Sequence, residues 1–192
     1  VIDDAKSYFA SSGQQFDLIL SEPSNPWVSG VSGLFTDEFY ARVATYLAPG
    51  GIFGQWLHLY EIEDELVLSI LAALDRHFAS WEIFLTNDVD VLVVASNEPR
   101  LPRPDWTVFE RPDIARDLSR FRRITPQMLE ATRLITSREL APLMAIKPEP
   151  NSDFFPRLDL GAEQARFLRR EAYAFSSLPV ERWDLAAALG ER

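Results

Sequence analysis

Glu22, Ser24 and Asn25 stand in one short run, bracketed by Pro23 and Pro26 and followed by Trp27 and Gly30. A carboxylate can hold a cation or take its proton, while a hydroxyl and an amide beside it can orient a polar ligand. The run follows the apolar segment 16–20, Phe-Asp-Leu-Ile-Leu, which is too brief for a helix and reads as a buried strand. The two prolines and the glycine stop that strand abruptly, which leaves Glu22 at its carboxyl end. In open α/β sheets the ligand crevice lies outside the carboxyl ends of the strands. These residue types at that position point to a site for a cationic ligand. The competing reading makes Glu22 an acid in an inert turn and lets Asn25 hold that turn through its own side chain.

The surrounding elements alternate between strand and helix. Residues 1–4 read as the end of a strand, and 5–12 as a short helix closed by Gly13. Thr36 caps a helix whose first turn carries Asp37 and Glu38, acids favoured at the positive end of the helix dipole. Phe39, Val43, Tyr46 and Leu47 fall on its apolar face. Pro49-Gly50-Gly51 ends it, and 52–57 reads as another buried strand carrying Gln55, which lies at that strand's end and faces the same crevice as Glu22. Leu66, Ile70, Leu74 and Phe78 give 63–78 a core-facing helical stripe. Strands over 81–85 and 91–95 follow, with Asn87-Asp88 as a tight turn. The expected sheet is mostly parallel with an antiparallel end. After Ala95 the character changes. Pro99, Pro102, Pro104 and Pro112 mark a linker in which Trp106, Val108 and Phe109 pin the chain to the body, and helices are expected over 114–121, 126–134, 137–144 and 162–175. The division that results is 1–97 and 98–192.

Composition narrows the function classes. Of 192 residues 47% are hydrophobic and 12% aromatic, enough for a folded core. A net charge of −10 with no basic stripe argues against nucleic acid. Acidity suits a cationic ligand, although solubility alone explains it as simply. The absence of cysteine removes disulfides, thiol nucleophiles and thiolate zinc sites. With His58 and His77 as the only histidines, a histidine-rich metal site is not expected. His58 reads as a structural histidine, and Trp27 and Trp56 as packing residues. No apolar run approaches the roughly 20 residues that span a bilayer and no signal peptide is visible, so a cytoplasmic location is expected.

Asp4-Ala5-Lys6-Ser7-Tyr8-Phe9, the strand 16–20, Glu22-Pro23-Ser24-Asn25-Pro26, Gly33-Leu34-Phe35-Thr36-Asp37-Glu38-Phe39-Tyr40 and Leu47-Ala48-Pro49-Gly50-Gly51-Ile52 follow one another in this chain. In that order they resemble the spermidine/spermine synthase family, and the run Ser21-Glu22-Pro23-Ser24-Asn25-Pro26-Trp27 is most similar to its bacterial branch often fused to membrane segments. The likeness covers about the first half, with a weaker echo at Asn151-Ser152-Asp153. It implies a class I methyltransferase-like, Rossmann-like α/β fold without its N-terminal strands and Gly-rich turn, extended by a C-terminal helical part. It implies aminopropyl transfer from decarboxylated S-adenosylmethionine, a co-substrate rather than a prosthetic group, to a putrescine-like amine. Glu22 matches the family's catalytic aspartate and becomes the base and amine anchor. Ser24 and Asn25 line the amine side, and Asn25 replaces a second aspartate, which leaves diamine specificity open. Asp4, with Ala5 beside it, matches the acid that contacts the adenine, although Asp4 serves equally as a cap for the helix from Ala5. Asp153 is a weak candidate for closing the pocket, with a solvated loop position as the favoured reading.

Two other classes stay open: a methyltransferase using intact S-adenosylmethionine, and a non-catalytic domain that binds polyamines or nucleosides or mediates assembly. A sheet lacking its first strands exposes an edge near 16–20, and exposed edges pair with other chains. A homo-oligomer is therefore expected, and the full-length protein is expected to carry membrane segments if it follows the fused branch.

Overall fold

The computed structural model describes residues 5–28, 30–120 and 124–178. The strand end expected over 1–4, and with it Asp4, lies outside the described residues. Helix α1 (Ala5–Ser12) stops at Gly13, whose φ of 60° suits a residue without a Cβ. The chain then turns into β1 (Phe16–Ser21). Helix α2 (Asp37–Tyr46) starts where the sequence places it: the Thr36 Oγ1 accepts the Phe39 N–H at 3.2 Å, with Asp37 and Glu38 in the first turn. Strand β2 (Leu47–His58) begins earlier than expected, running through Pro49-Gly50-Gly51 rather than after it. The pairing with β1 jumps there, from Phe16 opposite Leu47 to Leu18 opposite Ile52. Gly50 takes a φ of 75° in this irregular stretch.

Helix α3 (Asp64–Asp75) is followed by the hairpin of β3 (Ser80–Leu85) and β4 (Asp90–Ser96). The sheet order is β1-β2-β4-β3 with one further strand, β5 (Arg133–Thr136), beside β3. Only β1 and β2 run parallel among the described strands, and the other three ladders are antiparallel. The expected parallel majority is thus not found there, because every strand after β2 joins its neighbour antiparallel.

The second part of the chain departs most from its expected outline. Short helix α4 (Pro112–Leu118) ends before 121, and α5 (Pro126–Ala131) gives way to β5, where a helix was expected to run to 134. The β-branched Ile135 and Thr136 fit a strand once the Ile83 edge is there to receive them. Helix α6 (Ser137–Ala145) opens on a full capping box between Thr136 and Glu139. Helix α7 (Arg157–Phe167) starts earlier than the expected 162 and stops where Arg169 takes a φ of 50°. Glu171 then bridges to Tyr60 and 173–178 is helical again, its first N–H groups bound to the Asp64 carboxylate. In the linker Trp106 donates to Glu130 of α5 at 3.1 Å and stacks edge-on with Phe109, and neither ring reaches the main core.

One face of the sheet holds that core. Ile19, Phe53, Leu57, Val91, Val93, Trp81 and Ile83 point into it, against Tyr40 and Val43 of α2, Ile70, Leu71 and Leu74 of α3, Leu140 of α6 and Leu158 of α7. Each large side chain buried this way contributes about 1.5–3 kcal/mol. The Trp81 indole keeps its polar end satisfied by donating to Asp75 at 2.8 Å. The other face is barer at the β1 edge, where Leu18 and Leu20 are 56% and 68% exposed. No helix among the described residues is long and apolar enough to cross a membrane.

Candidate active site at the carboxyl ends of strands 1 and 2

Because β1 and β2 run parallel with Ser21 opposite Gln55, their carboxyl ends lie side by side. The chain leaves β1 at Glu22. The Glu22 carboxylate is exposed and makes no hydrogen bond or ion pair with any described residue. Ser24 is likewise exposed, and Asn25 is half-buried with its carbonyl accepting the Val28 N–H at 2.9 Å. Pro26 is buried and stakes the loop to the body. From there a string of tight turns, Val31 to Val28, Leu34 to Val31 and Phe35 to Ser32, carries the backbone to α2.

Gln55 holds this loop from below. It is only 1% exposed. Its Oε1 accepts the Tyr40 hydroxyl at 2.5 Å, and its Nε2 donates to the Leu34 carbonyl at 2.8 Å and the Ser21 hydroxyl at 3.5 Å. Burial pushes the Tyr40 phenol well above its ordinary value, so it stays a donor. The Gln55 amide is spent on Tyr40, Leu34 and Ser21. The expectation that it faces the crevice is therefore corrected: it ties β1, β2 and the loop together beneath Glu22.

The late loop fastens the other end. Asn151 is fully buried, its Nδ2 reaching the Ser32 and Phe35 carbonyls at 3.4 and 3.1 Å and its Oδ1 accepting the Leu158 N–H at 3.0 Å. Ser32 in turn donates to Asp159 at 3.1 Å. Ser152 and the Asp153 N–H both bind the Glu38 carboxylate at 2.8 Å. Burial alone would raise the Glu38 carboxyl, but those hydrogen bonds and the nearby Arg42 charge outweigh it and hold the group below its ordinary value. Asp153 itself is exposed and borders a cavity of about 290 Å³ with Gly33, Phe39 and Arg42.

Trp27 closes the β2 side. Its ring lies 6.1 Å from both His58 and Tyr60, and the Arg166 guanidinium sits 5.4 Å above it. The His58 Nδ1 lies 3.4 Å from the Asp90 Oδ1, an oxygen with no well-aligned donor among the described residues. Burial lowers the His58 pKa, and the Asp90 charge only partly offsets it, so the ring is neutral at neutral pH. Trp27 packs against the core and His58 is buried against Trp27 and Tyr60.

Glu22, Ser24 and Asn25 thus share one proline-flanked loop, with Gln55 beneath it. Ala5 is the first residue of α1, and Asp4 falls outside the described residues. Tyr40 stands in the family-like run but its bond to Gln55 has no local signature, and neither have the contacts of Ser32, Asp159 and Arg166. Among the described residues no three acidic or histidine side chains converge to hold a metal ion.

A five-stranded mixed α/β sheet backed by helices is compatible with a methyltransferase-like fold. Comparison with known proteins points the same way at a coarse level. The chain is 29% identical over 111 residues to a polyamine aminopropyltransferase of Aeropyrum pernix, a match taking in 53% of this chain and 35% of that protein. It is 33% identical over 79 residues to a polyamine aminopropyltransferase of Shigella sonnei, covering 41% of this chain and 27% of the other. The chain spans about a third of the length of these curated relatives. No family model matches it. The likeness is to spermidine synthase-like proteins at family level.

Proposed function

We propose that this chain carries the amine-side half of an aminopropyltransferase, with Glu22 as the base that anchors the acceptor amine and takes its proton. The observation that carries the reading is the Glu22 carboxylate, exposed and without a partner among the described residues at the end of β1, while the loop around it is held by Gln55 and Asn151. A neutral amine attacks the methylene next to the sulfonium of decarboxylated S-adenosylmethionine. The new C–N bond forms as the C–S bond breaks, the sulfur leaves as a neutral thioether, and the nitrogen's surplus proton passes to the Glu22 carboxylate. Ser24 and Asn25 would orient a putrescine-like diamine from the same loop. Asp4 and Ala5 would stand on the adenine side. The run from Ser21 to Trp27 supports placement in the branch fused to membrane segments.

The test is mass-spectrometric. Decarboxylated and intact S-adenosylmethionine are each offered with a panel of amines, and Glu22→Gln is the control. An aminopropylated amine, reduced about 10²–10⁴-fold in the control as expected for loss of a general base, supports the reading. Methylated product, or transfer that survives Glu22→Gln, refutes it.

A second reading is favoured by the β1 edge. Leu18 and Leu20 stand exposed on a strand with no partner on its outer side among the described strands. We infer that copies of this chain pair along this edge as homo-oligomers. Sedimentation equilibrium is expected to show association that Leu18→Lys weakens. A monomer at every concentration would contradict it.

A further inference from the structure

Transfer chemistry at the carboxyl ends of β1 and β2 leaves the opposite end of the sheet unexplained. There β4 ends, β3 begins and β5 runs into α6: Ser80 pairs with Ser96, and Glu82 with Thr136. A cavity of about 360 Å³ opens between this edge and the proline-rich linker. Arg100 and Arg103 line it from the linker, Arg138 lines it from the first turn of α6, and the hydroxyl-bearing Ser80, Thr136 and Ser137 line its floor.

The arginines stand out by what they lack. The chain has 29 acidic residues against 19 basic ones, so carboxylates are in surplus. Many described arginines use them, as in Arg76–Asp37, Arg111–Asp113, Arg157–Glu149 and Arg170–Glu63. Arg100, Arg103 and Arg138 pair with no carboxylate among the described residues, although they border one cavity. The acids nearby are engaged elsewhere. Glu82, which also lines the cavity, lies 3.6 Å from Arg133, and Glu139 folds back onto the Thr136 N–H at 2.7 Å. Glu98 accepts the Gly50 N–H at 3.3 Å. The Thr136 and Ser137 oxygens accept backbone N–H groups, from Glu139 at 3.3 Å and Trp81 at 3.5 Å, so their own protons remain to be donated. Three like charges held around one space repel one another, and an anion between them removes that cost.

We propose that this cavity is a binding site for a small phosphoryl anion of the diphosphate type, separate from the Glu22 loop. Guanidinium forks offer parallel N–H donors that match oxyanions bidentately. Three forks and two hydroxyls supply more donors than the two oxygens of one carboxylate can accept, whereas linked phosphoryl groups carry enough oxygens and enough charge. The volume lies within the range of small-ligand pockets. The strongly acidic remainder of the chain disfavours an extended polyanion such as nucleic acid at this place.

The test titrates the intact chain with inorganic pyrophosphate by calorimetry, with malonate as a carboxylate probe. One saturable site is expected, with pyrophosphate binding at least about tenfold tighter than malonate. Arg103→Gln and Arg138→Gln should each weaken it about tenfold, the loss of one charge-assisted contact, and added salt should weaken it steeply. Both side chains are exposed, so the fold should survive, which the thermal midpoint checks; Arg111→Gln, outside the cavity lining and paired with Asp113, should leave binding unchanged. The proposal is overturned by no saturable pyrophosphate binding at millimolar concentration, by malonate binding equally well, or by binding that survives Arg100→Gln, Arg103→Gln and Arg138→Gln together. If that combined variant does not fold, Arg103→Gln alone decides.

Discussion

Replacing Asn151 with alanine should unfold this protein more readily than any change at the Glu22 loop surface. Asn151 is fully buried and has three side-chain bonds, to the Ser32 carbonyl, the Phe35 carbonyl and the Leu158 N–H. The three losses are unequal. The Ser32 carbonyl still accepts the Phe35 N–H at 3.0 Å and stays satisfied. The Phe35 carbonyl loses its Asn151 donor. The Leu158 N–H belongs to the first turn of α7, whose own N-cap Pro156 supplies no side-chain acceptor, so nothing replaces the Asn151 Oδ1. Two buried groups left unpaired cost about 1–3 kcal/mol each, with the missing side-chain volume on top, which gives about 3–5 kcal/mol. For a chain of this size each kcal/mol moves the thermal midpoint about 2–4 °C, so a fall of about 6–20 °C is expected. Asn151→Asp should fare no better, because it keeps the acceptor for Leu158 but turns a buried charge toward two carbonyls. Urea denaturation with an unchanged m-value reads the effect directly. A loss below about 1 kcal/mol for Asn151→Ala would refute the reasoning, since it would mean that water or a shifted loop satisfies those groups.

Two other outcomes follow from geometry and charge. Gly51→Ala places a Cβ 2.8 Å from the Ala48 carbonyl oxygen and 2.9 Å from that of Phe16, both backbone atoms that cannot swing aside; a loss of about 1–3 kcal/mol is expected in urea titration, and wild-type stability would contradict the close approach of β1 and β2. His58 has a folded pKa below its ordinary value of 6.5, chiefly through burial. The unfolded chain therefore binds the proton first as pH falls, so stability declines from about pH 6.5 toward the folded pKa and is unaffected above it. The urea midpoint should drop between about pH 7 and pH 5.5 in the wild type and drop less in His58→Gln; equal slopes would sink the assignment.

Local chemistry was legible wherever it was written in neighbouring residues. The Thr36 cap with Asp37 and Glu38, the apolar stripe of α3, the short β1 ended by prolines and the Asn87-Asp88 hairpin all need only residues a few positions apart, so periodicity and turn chemistry specify them. The placement of Glu22 at a strand's carboxyl end belongs to the same class. The sequence could not decide what Gln55 does: a polar residue at the end of an apolar strand looks like a crevice residue until Tyr40 and Leu34 are brought against its amide. Nor could it decide the state of 133–136, whose strand exists because β3 offers an open edge, a tertiary gain that outweighs weak local preference. Asn151 and Arg166 act on loops more than a hundred residues away, and the convergence of Arg100, Arg103 and Arg138 depends on β5 delivering α6 to the end of the sheet. Spacing along the chain determines hydrogen bonds that close within a turn. Contacts that buried groups make across the fold are set only when the core has formed and left each of them one available partner.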